Sequence, residues 1–286
     1  MKKLVNFIII AVILLFITHI NAYAVEQQAK IDKAKTTLYK VIKGEELQKD
    51  SLSYFHHLLI MALDTTINDF GAYQFEIIDY HTPQYRTLKL LNLPDVLDIT
   101  YSMTSSTREE EFIAIKVPLL NGLFGTRRLL VMKKNKASFE SMSETALKSK
   151  IACQGMHWPD TKILQQNNYQ VYGVIDYEAN IKMLLKGRCD YFPRGIHEID
   201  IDLTKLESLY PDIVAVDSII LKYHAPVYFF VGKHNRVLAN RVQQGLEKLK
   251  ANGSMRKLLL ESPFSSYVNS TELTHQIKVF NLTNPI

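Results

Sequence analysis

The 286 residues carry 34 Lys and Arg against 29 Asp and Glu, a formal charge of +5, with 47% hydrophobic residues, 11 Gly and 9 Pro. A charge this balanced, with no Lys/Arg run and no interleaved aromatic platform, argues against a nucleic-acid partner. Scarce Gly and Pro argue for a globular chain rather than a disordered one, and two cysteines are too few for a disulfide scaffold.

The chain opens MKKLVNFIIIAVILLFITHINAYA: Lys2 and Lys3, an apolar run, then the small-x-small site Ala22-Tyr23-Ala24. That order predicts a secretory leader over 1–24, the alternative being a retained anchor, for which the apolar run is short. No cysteine follows the run, so a lipoprotein is not expected; the mature chain should begin near Val25, be periplasmic and carry a charge of +3 once the two lysines are lost. About 260 residues remain, enough for two modest domains.

Next, TTLYKVIK (Thr36–Lys43) predicts a strand. Phe55, Leu58, Leu59, Ala62, Leu63 and Ile67 fall at helical spacing, predicting one helix from Ser51 to Phe70 closed by Gly71. YQFEIIDY is a strand, Thr82-Pro83 starts a short helix to Leu91, and DVLDITYS and EEFIAIKVPL are strands. A long strand, Thr126–Lys134, follows.

The alternation then restarts. KIACQ is a strand and Pro159–Asn167 a helix; YQVYGV is a strand and Tyr177–Lys186 a helix; CDYFP leads to a helix from Ile196 to Leu209. IVAVDSIILKY and PVYFFVG are strands around His224-Ala225-Pro226, and helices at Asn235–Lys250 and Met255–Leu260 precede a polar tail. Cys153 and Cys189 fall at similar places on predicted strands; an oxidising periplasm permits a bridge between them, but adjacent parallel strands would give it poor geometry, so two buried thiols are the expectation and the bridge the alternative.

Two successive βα series predict an α/β fold of two lobes, each a mixed sheet flanked by helices, joined by two crossing strands. The first lobe would take 25–130 and 224–286, the second 131–223. A crevice between such lobes is a place for a ligand.

The order of an exported βα lobe, MTSSTREEEF, a crossing strand, CQGMHWPDTKIL, GRCDYFPRGIHEI and a return strand resembles the type II periplasmic solute-binding proteins, in particular the family 3 group with the amino-acid receptors. The resemblance covers essentially the whole mature chain. It implies a small amino-acid-like or anionic solute, an ABC-type permease or a membrane sensor as partner, no cofactor, no metal and a monomer.

In that group a Thr-x-x-Arg segment grips the ligand carboxylate. Arg108 holds the similar place, with Ser105 where the threonine would be and Thr104 before it; a guanidinium offers paired donors and stays charged when desolvated. The other reading pairs Arg108 with Glu109–Glu111 in solvent. The second lobe of the group offers backbone N–H groups at a strand-glycine-helix turn, matched by Gly155, Met156, His157 and Trp158 ahead of Pro159 and Asp160. Trp158, the only tryptophan, is then either a cleft wall or packed under its lobe, and His157 either a contact or a surface residue. An acidic residue that binds the ligand ammonium in the group is replaced by Gly195. Arg194 beside it would favour an acidic solute, while Glu198 could restore the negative charge.

An enzyme on the same scaffold, a dehydratase or peptidoglycan lyase, would need a cleft acid, and Glu198 or Glu178 could be put forward. Neither belongs to a recognisable catalytic constellation. His56 and His57 are adjacent on a helix and diverge by about 100°, so they cannot share a metal ion.

Overall fold

The computed structural model describes residues 36–43, 54–80, 82–262, 264 and 277–284. The expected leader, 1–24, and the first residues of the expected first helix lie outside the described residues.

The first sheet has the order β2-β1-β3-β10-β4, from β1 (Thr37–Ile42), β2 (Tyr73–Ile78), β3 (Ile99–Met103), β4 (Ile113–Ile115) and β10 (Val227–Val231). β1, β2 and β3 run parallel, and β10 runs antiparallel to β3 and β4. Helix α1 (Tyr54–Asp64) buries Leu58, Leu59, Ala62 and Leu63, each large side chain contributing about 1.5–3 kcal/mol. The helix predicted to run on to Phe70 breaks into α1 and a short α2 (Ile67–Phe70). Thr65 and Thr66 sit at the break and turn their hydroxyls onto the carbonyls of Ala62 and Leu63, the local competition that makes threonine a poor helix-interior residue. The first lobe also holds α3 (Gln84–Leu90), α4 (Ser106–Glu111), α10 (Arg236–Ala251) and α11 (Ser254–Glu261).

The second sheet has the order β11-β9-β5-β8-β6-β7: β5 (Thr126–Met132), β6 (Ile151–Gly155), β7 (Gln170–Val174), β8 (Tyr191–Gly195), β9 (Ile213–Lys222) and β11 (Lys278–Asn281). Around it lie α5 (Lys136–Ser141), α6 (Glu144–Lys148), α7 (Pro159–Gln166), α8 (Tyr177–Leu185) and α9 (Ile196–Leu206). Leu130, Cys153, Ile181, Phe192 and Ile199 form a core of its own.

Two details differ from expectation. β5 already belongs to the second sheet at Thr126, ahead of residue 131, and the expected polar tail includes β11, which pairs with β9 and so returns to the second lobe rather than the first. The alternation of Val279 and Phe280 among polar residues is too short to announce a strand; the exposed edge of β9 supplies the reason for one.

The expectation of two free thiols is overturned. Cys153 and Cys189 form a disulfide with Cα atoms 5.5 Å apart, inside the bridging range. Cys189 lies just ahead of β8, and of the two strands only Ala152 and Tyr191 stand in register. The bridge therefore spans a strand and a turn, not two rungs of a parallel ladder.

The two crossings meet just outside β5 and β9, at Gly125, whose carbonyl accepts the Tyr223 N–H at 3.0 Å. A Cβ there would lie 1.7 Å from the Tyr223 carbonyl oxygen, so only glycine allows the two passages to meet.

Candidate functional site

β3 ends at Met103, and the chain turns through Thr104 and Ser105 into α4. Ser105 is extended, and its Oγ accepts the Arg108 N–H, capping the helix. Thr104 is fully buried; its N–H donates to the Pro226 carbonyl and its hydroxyl to Glu109 at 2.8 Å. These bonds fix the turn that aims Arg108 into the seam between the lobes.

Arg108 is 2% exposed. One terminal nitrogen donates to Ser102 Oγ and the Met103 carbonyl, both at 2.6 Å; the other donates to Gln84 Oε1 at 2.8 Å and, across the seam, to the His157 carbonyl at 3.3 Å. All four acceptors are neutral, and among the described residues no carboxylate lies within ion-pair distance. Burial therefore pushes its pKa down to about 10, although Asp160, Tyr85 and Glu111 act against this from further away.

On the facing wall, β6 ends at Gly155. The Gly155 amide is held by Gln154 Oε1, the Met156 amide by the Val174 carbonyl and the Trp158 amide by the Gly155 carbonyl. The turn thus keeps most of its amides for itself. His157 is exposed and stacks on Tyr85 of the first lobe, centroids 5.4 Å apart. Trp158 is half-buried. Its ring covers Gly155, where a Cβ would come within 2.4 Å, and stacks on Phe192. The tryptophan needs the glycine beneath it, and it packs against the second lobe's core at the seam's margin.

Asp160 does not serve the helix amides. Its carboxylate is buried, holds Arg127 at 2.7 Å and accepts the Tyr223 hydroxyl. Arg127 also reaches Glu198 at 3.4 Å, with its Nε on Tyr223. Arg194, paired with Asp202 at 2.5 Å and Glu198 at 3.4 Å, lies against the rings of Trp158, Tyr177 and Phe192. Burial pulls the pKa of both arginines down, but their carboxylates raise it more, the opposite of Arg108. Glu198 accepts the Gly195 N–H at 2.9 Å. Burial raises its pKa, and Arg194, His197 and Arg127 together overcome this and bring it to about 2.

Arg108, His157 and Trp158 therefore meet at the seam; Arg194 and Glu198 sit in a paired network of the second lobe; Thr104 and Ser105 act through Arg108. Glu178 is on a solvated helix face with Lys182. Sequence reasoning missed Gln84, Tyr85, Arg127, His197 and Tyr223. Arg127 reads as one residue of a crossing strand, and nothing local marks it as a buried cation. His197 is buried, its Nδ1 without a hydrogen bond, between Phe124 and Phe264.

Not every buried arginine here faces the seam. Arg241 is fully buried and also bound to neutral oxygens, of Thr66, Tyr39, Leu63 and Gly71, but all belong to the first lobe. It fastens α10 to α1 and β1. Arg108 differs in drawing acceptors from both lobes.

No protein-family model matches the sequence, nor does any curated protein. Solved structures do match. The ancestral amino acid-binding protein AncCDT-1, a precursor of cyclohexadienyl dehydratase, is 17% identical with a TM-score of 0.55, over 82% of this chain and 97% of that one. The GluR0 ligand-binding core from Nostoc punctiforme in complex with L-glutamate is 16% identical with a TM-score of 0.52, over 79% and 97%. A putative L-cystine ABC transporter protein from Listeria monocytogenes is 19% identical with a TM-score of 0.52, over 81% and 97%. The chain has the two-lobe fold of the type II periplasmic solute-binding proteins, with mixed sheets flanked by helices.

Proposed function

We propose that the chain is an exported, periplasmic solute-binding protein that closes its lobes on a small amino-acid-like solute and presents it to an ABC-type permease. Arg108 carries this reading: a sealed cation at the seam, held by neutral oxygens of both lobes. Its longest bond, 3.3 Å, is the one that crosses to the His157 carbonyl. A solute carboxylate taking that place gains a charge-assisted, bidentate contact that a carbonyl cannot offer.

The facing wall suits the other end of such a solute. Asp160, Glu198 and Asp202 share two guanidiniums, Arg127 and Arg194, leaving an excess of negative charge. Glu198 is the most accessible of the three, its side chain 27% exposed. Arg194 is thus compensated and gives no separate preference for a dicarboxylate. A zwitterion bridges both walls, and closure is favoured because only the closed form lets it touch both. The amino-acid ligands named for the structural neighbours agree with this reading. Glu198, held ionised, is unsuited to general-acid work at neutral pH.

Thermal-shift screening of the mature protein against amino acids, dicarboxylates and small peptides is expected to find one class that raises Tm by mass action. Arg108→Ala should weaken that solute about a hundredfold, the loss of a charged hydrogen-bonded pair. No stabilising solute in any class would sink the proposal. Trp158, beside the exposed His157, should change its fluorescence on binding, and a silent signal would remove the turn from the contact surface.

A further inference from the structure

Away from the seam, the first lobe carries a groove of about 580 Å³ between β4 and α10. One wall is a stripe of α10, Arg236, Ala239, Asn240 and Gln243, residues at the spacing that puts them on one helix face. The floor is apolar, from Ile113 and Ala114 of β4 over Phe112, which precedes the strand and is buried in the core beneath. β4 has β10 on one side and, among the described residues, no strand on the other. An edge strand beside a groove is a template for one more extended segment.

The charge of the groove selects the segment. Lys116, Lys233 and Arg236 line it together with one acid, Glu109. Glu109 is taken by Lys116 at 2.6 Å, and among the described residues no carboxylate lies within ion-pair distance of Lys233 or Arg236. Both are exposed, at the N-terminal end of α10, where the helix dipole adds to their field.

We propose that this groove is a docking surface for an extended acidic segment of a protein partner, which lies along the free edge of β4 with its carboxylates on Lys233 and Arg236 and its apolar side chains on the floor of Ile113 and Ala114. The inference is independent of the solute site.

The test uses the full mature protein and a fluorescent peptide of alternating Glu and Val, with Gln-Val and Lys-Val peptides and phosphatidylglycerol vesicles as comparators. The Glu-Val peptide is expected to bind best, to weaken with added salt, and to weaken about tenfold or more in the double variant Lys233→Glu, Arg236→Glu. Lys205→Glu on the other lobe should leave it unchanged. N-methylation of alternate peptide amides should also weaken it, because backbone pairing requires those donors. Equal binding by Gln-Val, equal binding by the double variant with an unchanged melting curve, indifference to N-methylation, or a preference for the vesicles would each overturn the proposal.

Discussion

Arg108 and Arg127 are equally well sealed from water, at 2% and 4% exposed, yet they meet opposite surroundings. Arg127 is matched inside its own lobe by Asp160, Glu198 and Tyr223. Arg108 has only oxygens without charge, one of them across the seam. A matched buried cation is a structural element, for which a further anion offers little. An unmatched one keeps its appetite for a carboxylate, which under the proposed function the bound solute supplies.

The contrast can be broken by mutation. Arg127→Ala strands a buried Asp160 and should cost about 3–5 kcal/mol in urea unfolding; a loss below 1 kcal/mol would show that the network is dispensable. Reducing Cys153–Cys189, which joins residues 36 apart, should cost about 2–4 kcal/mol. If reduction costs nothing, the charges alone hold the second lobe.

Acid should come next. Burial pushes the His197 pKa from its ordinary 6.5 to about 4. Between those values the unfolded chain takes up a proton that the folded chain refuses. Stability is therefore full above pH 6.5 and falls as the pH drops towards 4, by up to about 3 kcal/mol. His197→Phe should flatten that stretch of the stability–pH curve; an unchanged slope would assign it to other groups. Arg108→Ala should show the smallest stability loss, about 1–3 kcal/mol, because what it leaves behind are neutral acceptors. A loss matching that of Arg127→Ala would erase the distinction.

Much of the fold was legible beforehand because hydrophobic period and turn chemistry are local. The strands at Thr37–Ile42 and Ile213–Lys222 and the helix at Pro159–Gln166 fall close to where alternation and the proline at the first helical position put them. Legibility failed where a distant partner decides. β11 forms because β9 has an edge to fill, and Cys189 pairs because its turn, not a strand, faces Cys153; the break at Thr65 and Thr66, by contrast, is local hydroxyl chemistry that the apolar period of the helix concealed.

At the site, the resemblance to the amino-acid receptors pointed to Arg108 and to the Gly155–Trp158 turn, and glycine beneath tryptophan is a packing relation that neighbours in sequence can suggest. Charge compensation has no such trace. Arg108, Arg127 and Arg194 are the same side chain, and nothing in the residues beside them in the chain says which of the three a carboxylate neutralises. By itself the sequence determined the alternation of elements and two successive βα series, since these follow from period and turns, while the place of Arg108 after β3 was read from the family resemblance. Only the tertiary structure decided which guanidinium lacks a counter-ion, because that depends on distances of a few ångströms between residues far apart in the chain.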